Sequence, residues 1–355
     1  MSRIWVLGAG QLGQMLKHAG MPLNLDVQPV DIESEETLPL LAHEQVTAER
    51  EQWPDTAATR QLASHGAFVN LQTFPRLADR FTQKSLIDEL GLATAPWQLV
   101  ESDTTAESLH ERLGERVLLK QRTGGYDGRG QHWLREPGRD AVPEGWHQVC
   151  IAEQAIDFDE EMSVVGMRSA DGQCFFYPLT LNLHVDGILL GSVAPLPRLA
   201  HLQEKAEQML GKLMNNLDYV GVMAMECFRL GDTLLVNELA PRVHNSGHWT
   251  QAGANISQFE AHLRAVAKLP LVQPTVKNTS VMVNLVGVDY QDAWLTVPGA
   301  ELYWYGKEVR VGRKVGHINF CLDNHADTKA ALDLLQTMLP ATYVEVLNWL
   351  RSQLD

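Results

Sequence analysis

Residues 223–250 read MAMECFRLGDTLLVNELAPRVHNSGHWT. Two apolar runs, 220–228 and 233–240, flank Gly231-Asp232, the pattern of an antiparallel hairpin. Each run carries one glutamate among apolar residues: Glu226 with Met225, Cys227 and Phe228, and Glu238 with Leu235, Val236 and Leu239. The register decides whether they meet. With a loop of 231–233, Glu226 stands directly opposite Glu238; with a loop of 231–232 it faces Asn237, and Glu238 is the next residue along. In the first register both carboxylates leave one face with Cβ atoms roughly 5 Å apart. Two like charges held so closely are unfavourable without a cation between them. Mg²⁺ carried on ATP phosphates suits the gap, because it takes one or two carboxylates plus phosphate oxygens. A glutamate turned to solvent is the plainer alternative. Directly after Glu238 the chain spends Arg242, His244, Asn245, Ser246 and His248 in one loop, the kind of place where binding groups gather.

Upstream, residues 124–130 read GGYDGRG between apolar runs 117–120 and 131–134. A glycine-rich loop joining two strands can turn backbone amides towards phosphate oxygens, and Lys120 on the preceding strand would add a cation. No GK[ST] follows, so this is not a Walker A loop; an ordinary glycine-rich turn looks the same. Arg313-Lys314, beside Gly312 and Gly316, makes a short basic turn that suits either a phosphate or solvent. Near the start, Gly8, Gly10 and Gly13 follow the apolar run 4–7 and precede a helix expected over 11–18. Asp31 comes about 20 residues later, the spacing of a dinucleotide-binding βαβ unit.

The coarse pattern is α/β. Runs 4–7, 25–30 and 67–70 read as strands of a parallel sheet, with a boundary near Phe74-Pro75. A helix is expected over 80–90, ended by Gly91, and a strand after Pro96. Further strands are expected at 150–156, 161–167, 174–179 and 188–193, and helices at 201–217 and 257–268. Residues 281–320 return to strands with a hairpin around Lys307, and the final helix is expected over roughly 325–338.

The 355 residues predict two or three domains. With 45% hydrophobic and 21% charged residues the chain has a globular composition. Its formal net charge of −15 argues against nucleic acid or anionic membrane as a partner. The four cysteines, Cys150, Cys174, Cys227 and Cys321, form no C-x-x-C pair and read as buried free thiols. Residues 1–20 carry no secretory pattern and no apolar run is long enough to span a bilayer, so a reducing, cytoplasmic setting is expected.

Taken in order, GAGQLGQM, DRFTQK (79–84), RTGGYDGRGQ (122–131), EQAIDFDEEMSVV (153–165), YPLTLNLHVDGIL (177–189), MAMECF (223–228), NELAPRVHNSGHWT (237–250) and GRKVGHIN (312–319) resemble the ATP-grasp enzymes. More narrowly, they resemble the 5-(carboxyamino)imidazole ribonucleotide synthetases of purine biosynthesis, across nearly the whole chain. The resemblance implies an ATP-grasp fold with an N-terminal Rossmann-like domain (1–76), an ATP-grasp domain (77–275, with a mobile lid about 112–172) and a small β-rich C-terminal domain (276–355). It implies ATP as cofactor with Mg²⁺, or Mn²⁺ in its place, and a homodimer acting on 5-aminoimidazole ribonucleotide and bicarbonate.

The implied residues follow from the same motifs. Arg80 and Lys120 contact ATP phosphates, and the loop Gly125, Tyr126, Asp127, Gly128, Arg129, Gly130 and Gln131 closes over them. Glu153, Gln154, Ala155 and Ile156 meet adenine through a strand backbone, Glu161 holds the ribose hydroxyls, and His184 lies near the nucleotide. Glu226 and Glu238 hold the metal, with Asn237 beside them. Gln11, Tyr126, Arg242, His244, Asn245, Ser246 and Lys314 face bicarbonate and the ribonucleotide, whose phosphoribosyl group the first glycine loop helps bind. Asp127, His244, Arg242 and Lys314 are the catalytic candidates. Another ATP-grasp ligase acting on a different acceptor is the nearest rival. A nicotinamide oxidoreductase would explain Gly8, Gly10, Gly13 and Asp31 but leave the glutamate pair without a use. A non-catalytic nucleotide-binding regulator would leave the polar loop without one.

Overall fold

The computed structural model describes residues 2–125 and 129–355; Tyr126, Asp127 and Gly128 lie outside the described residues. Strand β1 (Ser2–Leu7) is buried from Ile4 to Leu7, as the centre of a parallel sheet must be. Helix α1 (Gln11–Gly20) lays Met15 and Leu16 against that sheet. Strands β2 (Leu25–Val30) and β3 (Gln45–Ala48) flank β1 in parallel. The third strand is thus 45–48 and not 67–70. The latter stretch makes only an isolated bridge, in which the Ala67 carbonyl and the Val69 N–H bond the Val46 backbone on either side of Phe68, while the Phe68 ring packs on Trp53 and Phe74. The short QVTA run hides from an apolarity reading because Thr47 is fully buried through a partner distant in sequence, the Nε2 of His262 at 2.9 Å. Helices α2 (Ala57–Ala63), α3 (Thr73–Ala78) and α4 (Arg80–Glu89) lead into the next layer. Asp79 caps α4 by accepting from the Phe81 N–H at 2.9 Å.

A second, antiparallel sheet has the order β4 (Trp97–Leu99), β7 (Cys150–Gln154), β5 (Val117–Gln121), β6 (Gln131–Leu134). Helix α5 (Ala106–Leu113) covers it, packing Leu109 and Leu113 with Val117, Leu119 and Cys150. Strand β7 ends at Gln154, so Ala155 and Ile156 lie beyond it.

The third sheet has nine strands among the described residues. Its path runs β13 (Thr233–Ala240), β12 (Gly221–Leu230), β8 (Glu160–Arg168), β10 (Thr180–Val185), β11 (Ile188–Ala194), β14 (Ser280–Val286), β16 (Lys314–Phe320), β15 (Glu301–Trp304), with β9 (Cys174–Phe176) paired to β8. The stretch 174–179 ends as a strand at Phe176, and β10 is a strand of its own that carries His184. One face packs on α6 (Ala200–Asn216), α9 (His325–Gln336) and α10 (Val344–Ser352) through residues such as Leu210, Leu332 and Leu347. The other packs on α1 and α8 (Gln258–Val266). Helices therefore continue past residue 338, because Leu347 and Leu350 of α10 complete that core. The strands of 276–355 extend the large sheet through the β11–β14 pairing. Cys150 and Cys227 are buried, but Cys174 and Cys321 are partly exposed, and all four are free. Among the described residues no helix is long and apolar enough to cross a membrane.

Candidate active site

The hairpin combines both registers. Near the turn it follows the two-residue loop: Leu230 pairs with Thr233, Phe228 with Leu235 and Cys227 with Val236. A bulge then inserts Asn237, so that Glu226 stands opposite Glu238 and Met225 opposite Leu239. The inserted residue is in use, since Asn237 Oδ1 accepts from Lys120 Nζ at 3.3 Å. Burial raises the Glu226 carboxyl above its ordinary value; His184 opposes this, and the charges of Glu238 and Glu161 add to it. Among the described residues no three or more His, Cys, Asp or Glu side chains converge as a metal cage. Two facing carboxylates, Glu226 and Glu238, fit Mg²⁺ as a donor set, with phosphate oxygens completing the shell.

Helix α4 ties this pair to the glycine loop. Asp79 forms an ion pair with Arg122 at 2.5 Å, and the Arg80 N–H donates to the Arg122 carbonyl at 2.8 Å. The Arg80 guanidinium donates to the carbonyls of Gln121 and Gly125, both at 2.8 Å, and reaches to 3.9 Å of Glu238 Oε1. DRFTQK and RTGG, apart in sequence, therefore dock together at the rim of the glutamate pair. At Gly125 a Cβ would lie 2.6 Å from the Arg129 carbonyl oxygen, so the close approach of the loop's two limbs requires glycine.

Lys120 is buried, and its Nζ donates to Glu153 Oε2 at 2.7 Å. The other oxygen of Glu153 lies 3.2 Å from Lys84 Nζ, which also donates to Thr94 Oγ1 at 2.7 Å. Burial alone would raise the Glu153 carboxyl, but Lys120 and Lys84 outweigh it and hold it at about 2. The side chain of Glu153 thus orients Lys120, while the strand backbone is the part expected to meet adenine. Lys84 escaped the sequence reading, although its place one turn after Arg80 on α4 was a signal.

Glu161 on β8 is in contact with His184 Nδ1, and His184 Nε2 lies 3.9 Å from Glu226. Burial works against the His184 imidazolium, yet Glu161 and Glu226 raise its proton affinity above the ordinary value. His244 behaves oppositely: burial first, then Arg242 and Lys314, push it well below the usual range. Its Nδ1 accepts from the Ser246 N–H at 3.3 Å, which assigns the ring proton to Nε2, 3.6 Å from Glu226 Oε1. Ser246 is fully buried in a chain in which Asn182 donates to Ser163 Oγ and Ser163 to Ser246 Oγ. Its side chain orients His244, 2.9 Å away, from behind, which differs from the expected exposure to substrate.

Asn245 presents both amide atoms buried and without a protein hydrogen bond among the described residues, a donor and an acceptor available to a ligand. Lys314 opens β16, and its charge acts on Glu226, His184, His244 and His248. Arg242 pairs through Nε with Glu51 Oε1 at 3.1 Å. Glu51 sits in a loop of the N-terminal layer that no periodicity marks. Gln11, the first residue of α1, accepts from Lys307 Nζ of the β15–β16 connection. The amides of Gly10 and Gly13 are both taken by the Glu49 carboxylate, at 2.5 Å each. The amides that the sequence pattern offers to a phosphate are thus held by a carboxylate of the same chain.

A three-layer chain with a glycine loop, two buried lysines and a facing glutamate pair on an antiparallel hairpin has the architecture of the ATP-grasp enzymes, and the ATP-grasp domain model matches residues 85–259. The ribonucleotide synthetase preATP-grasp domain matches 1–74, and the phosphoribosylaminoimidazole carboxylase C-terminal domain matches 280–331. The chain is 52% identical over 353 residues, 99% of each chain, to N5-carboxyaminoimidazole ribonucleotide synthase of Escherichia coli (strain K12). The crystal structure of N5-carboxyaminoimidazole ribonucleotide synthetase from Thermus thermophilus superposes with a TM-score of 0.84 at 39% identity, covering 95% of this chain and 98% of that one. The Aspergillus clavatus N5-carboxyaminoimidazole synthase, in complex with ADP and 5-aminoimidazole ribonucleotide, superposes with a TM-score of 0.81 at 27% identity over 95% and 99%. The chain belongs to the N5-carboxyaminoimidazole ribonucleotide synthase family and is an ATP-dependent ligase.

Proposed function

We propose that this chain carboxylates the exocyclic amine of 5-aminoimidazole ribonucleotide, using ATP and bicarbonate, to give 5-(carboxyamino)imidazole ribonucleotide for purine synthesis. The observation that carries the reading is the meeting of Glu226 and Glu238 beside Lys120 and Arg80, with the polar loop 242–248 issuing from the same strand. The relative that binds ADP together with 5-aminoimidazole ribonucleotide supports the choice of acceptor.

Bicarbonate is a poor electrophile. One of its oxygens attacks the γ-phosphate of ATP, giving carboxyphosphate and ADP. The amine captures carboxyphosphate, or the CO₂ it releases, and the products are a carbamate and phosphate. Glu226 and Glu238 are the residues that would hold Mg²⁺, which when bound offsets charge on the phosphates. Lys120, fixed by Glu153 and Asn237, and Arg80 direct positive charge to the transferring phosphoryl group. Glu161, steadied by His184, takes the ATP ribose. Arg242 and Lys314 line the bicarbonate and ribonucleotide side, with Asn245 as a neutral donor and acceptor. His244 enters with its proton on Nε2 and so acts first as a donor; the amine proton is assigned to Asp127.

The test is ADP release from Mg-ATP and bicarbonate, measured with and without 5-aminoimidazole ribonucleotide. A strong rise on adding the ribonucleotide is expected. No rise would sink the acceptor assignment while leaving the ligase class in place.

A further inference from the structure

One side chain holds the backbone of the polar loop. His244 lies beyond the end of β13 at Ala240, yet its backbone is extended, with φ −128° and ψ 152°. An extended residue ordinarily exchanges its N–H and carbonyl with a neighbouring strand. Here Gln258, the fully buried first residue of α8, takes that part. Its Oε1 accepts from the His244 N–H at 2.8 Å, and its Nε2 donates to the His244 carbonyl at 2.7 Å. The second Nε2 proton goes to His248 Nδ1 at 3.1 Å. These bonds fix the orientation of the amide, since a flipped one would set NH₂ against N–H and oxygen against oxygen. Gly247 leaves room for it: a Cβ there would lie 2.6 Å from Gln258 Oε1 and 2.8 Å from its Cδ. The rest of the loop is tied from the same side. Thr250 Oγ1 donates to the Gly247 carbonyl at 2.6 Å and accepts from the Gln258 N–H at 3.0 Å, and Asn319 Nδ2 donates to the His248 carbonyl at 2.9 Å.

We propose that Gln258 is a positioning residue for the ribonucleotide and bicarbonate side of the site. The His244 N–H belongs to the peptide unit before its Cα, and the carbonyl belongs to the unit after it. One amide that grips both fixes φ and ψ together, and with them the direction in which the His244 side chain leaves the chain. The Ser246 hydroxyl sets the ring, 2.9 Å away, and Gln258 sets the backbone that carries it. The next residue, Asn245, inherits the same fixed peptide plane and keeps both amide atoms buried without a protein partner among the described residues. Among the described residues the bonds of the Gln258 amide stay within the loop, and none reaches Arg80, Lys120 or the glutamate pair. A group displaced by about 1 Å from its productive place can lose a hundredfold in rate, so this grip acts on the acceptor half of the reaction and leaves the ATP half alone.

The kinetic half of the test rests on the proposed reaction; the exchange half does not. Q258M keeps the length of the side chain and removes its hydrogen bonds. It should lower kcat for ribonucleotide-dependent ADP release by roughly tenfold or more while the KM for ATP stays within about twofold. Amide hydrogen exchange over residues 243–248 should quicken by about fivefold or more, because the His244 N–H has lost its acceptor. G247A leaves Gln258 in place but drives its amide aside, and should move both readouts in the same direction. An unchanged kcat in folded Q258M, or an ATP KM that worsens as much as kcat falls, overturns the positioning role. Unchanged exchange overturns the grip on His244. If Q258M does not fold, G247A is judged by the same criteria; if neither folds, Gln258 serves the scaffold alone and the proposal falls. Absence of any ribonucleotide-dependent turnover in the wild type would refute the proposed function, and the exchange measurement would still judge Gln258.

Discussion

Glu153 lies inside the protein with a lysine on each carboxylate oxygen. Glu153→Gln would leave two buried ammonium groups facing an amide, and losing one side of a buried ionic group typically costs about 3–5 kcal/mol. Urea unfolding at pH 7 should show a loss of that order, together with a weaker grip on ATP as Lys120 loses its orientation. The pH dependence has a definite sign. The folded carboxyl is held at about 2, below the unfolded value of 4.5. Its contribution is therefore fully present above pH 4.5 and disappears as pH falls towards 2. Wild-type stability that rises across that interval would contradict the assignment. Lys120 was visible in the sequence because a cation precedes a glycine loop. Lys84 and the side-chain role of Glu153 were not, because each is defined by the other across two layers.

Strand β12 shows how an element sets the site. It begins at Gly221 with φ +122°, where a Cβ would come 2.8 Å from the His262 Nδ1. His262 in turn accepts from the Val222 N–H at 3.1 Å and bonds Thr47 through Nε2, joining β12, α8 and β3. Gly221→Ala should combine backbone strain with a steric conflict and lower stability by about 2 kcal/mol or more. A denaturant midpoint indistinguishable from wild type would show that the strand start yields freely. At the other end of the hairpin the bulge at Asn237 decides which carboxylates face each other. The apolar alternation announced a hairpin, and the turn residues allowed two loop lengths. The choice was beyond local pattern, since the bulge is held by Lys120 from the four-stranded sheet.

Across the whole molecule, buried histidines fix the response to acid. Burial holds His248 at about 3 and His262 at about 4, and pushes His244 and His317 well below the ordinary value. Each is neutral when folded and regains normal proton affinity when unfolded. The unfolded chain therefore binds more protons below pH 6.5, and stability falls as pH drops from about 6.5 towards 4. A single histidine held two units low accounts for about 3 kcal/mol at the acid end. His184, raised by Glu161 and Glu226, runs the other way: its contribution is complete below the ordinary value and is lost as pH rises through its folded one. Urea midpoints at pH 7, 6, 5 and 4 should decline. A flat profile would mean that these rings have water or a charge partner in solution.

The sequence by itself determined the layered α/β plan, the hairpin with its two glutamates, the polar loop behind Glu238 and the glycine loop after Lys120. All of these are written in contiguous stretches, where periodicity and turn residues act over a few positions. Tertiary structure alone decided that β3 is 45–48, that Glu49 holds amides of the first glycine loop, and that Glu51 meets Arg242. It also decided that Ser163 and Ser246 stand behind His244, and that α10 closes the core. Each of those depends on groups far apart in the chain being brought within hydrogen-bonding or packing distance by the stacking of sheets, and local patterning carries no record of that distance.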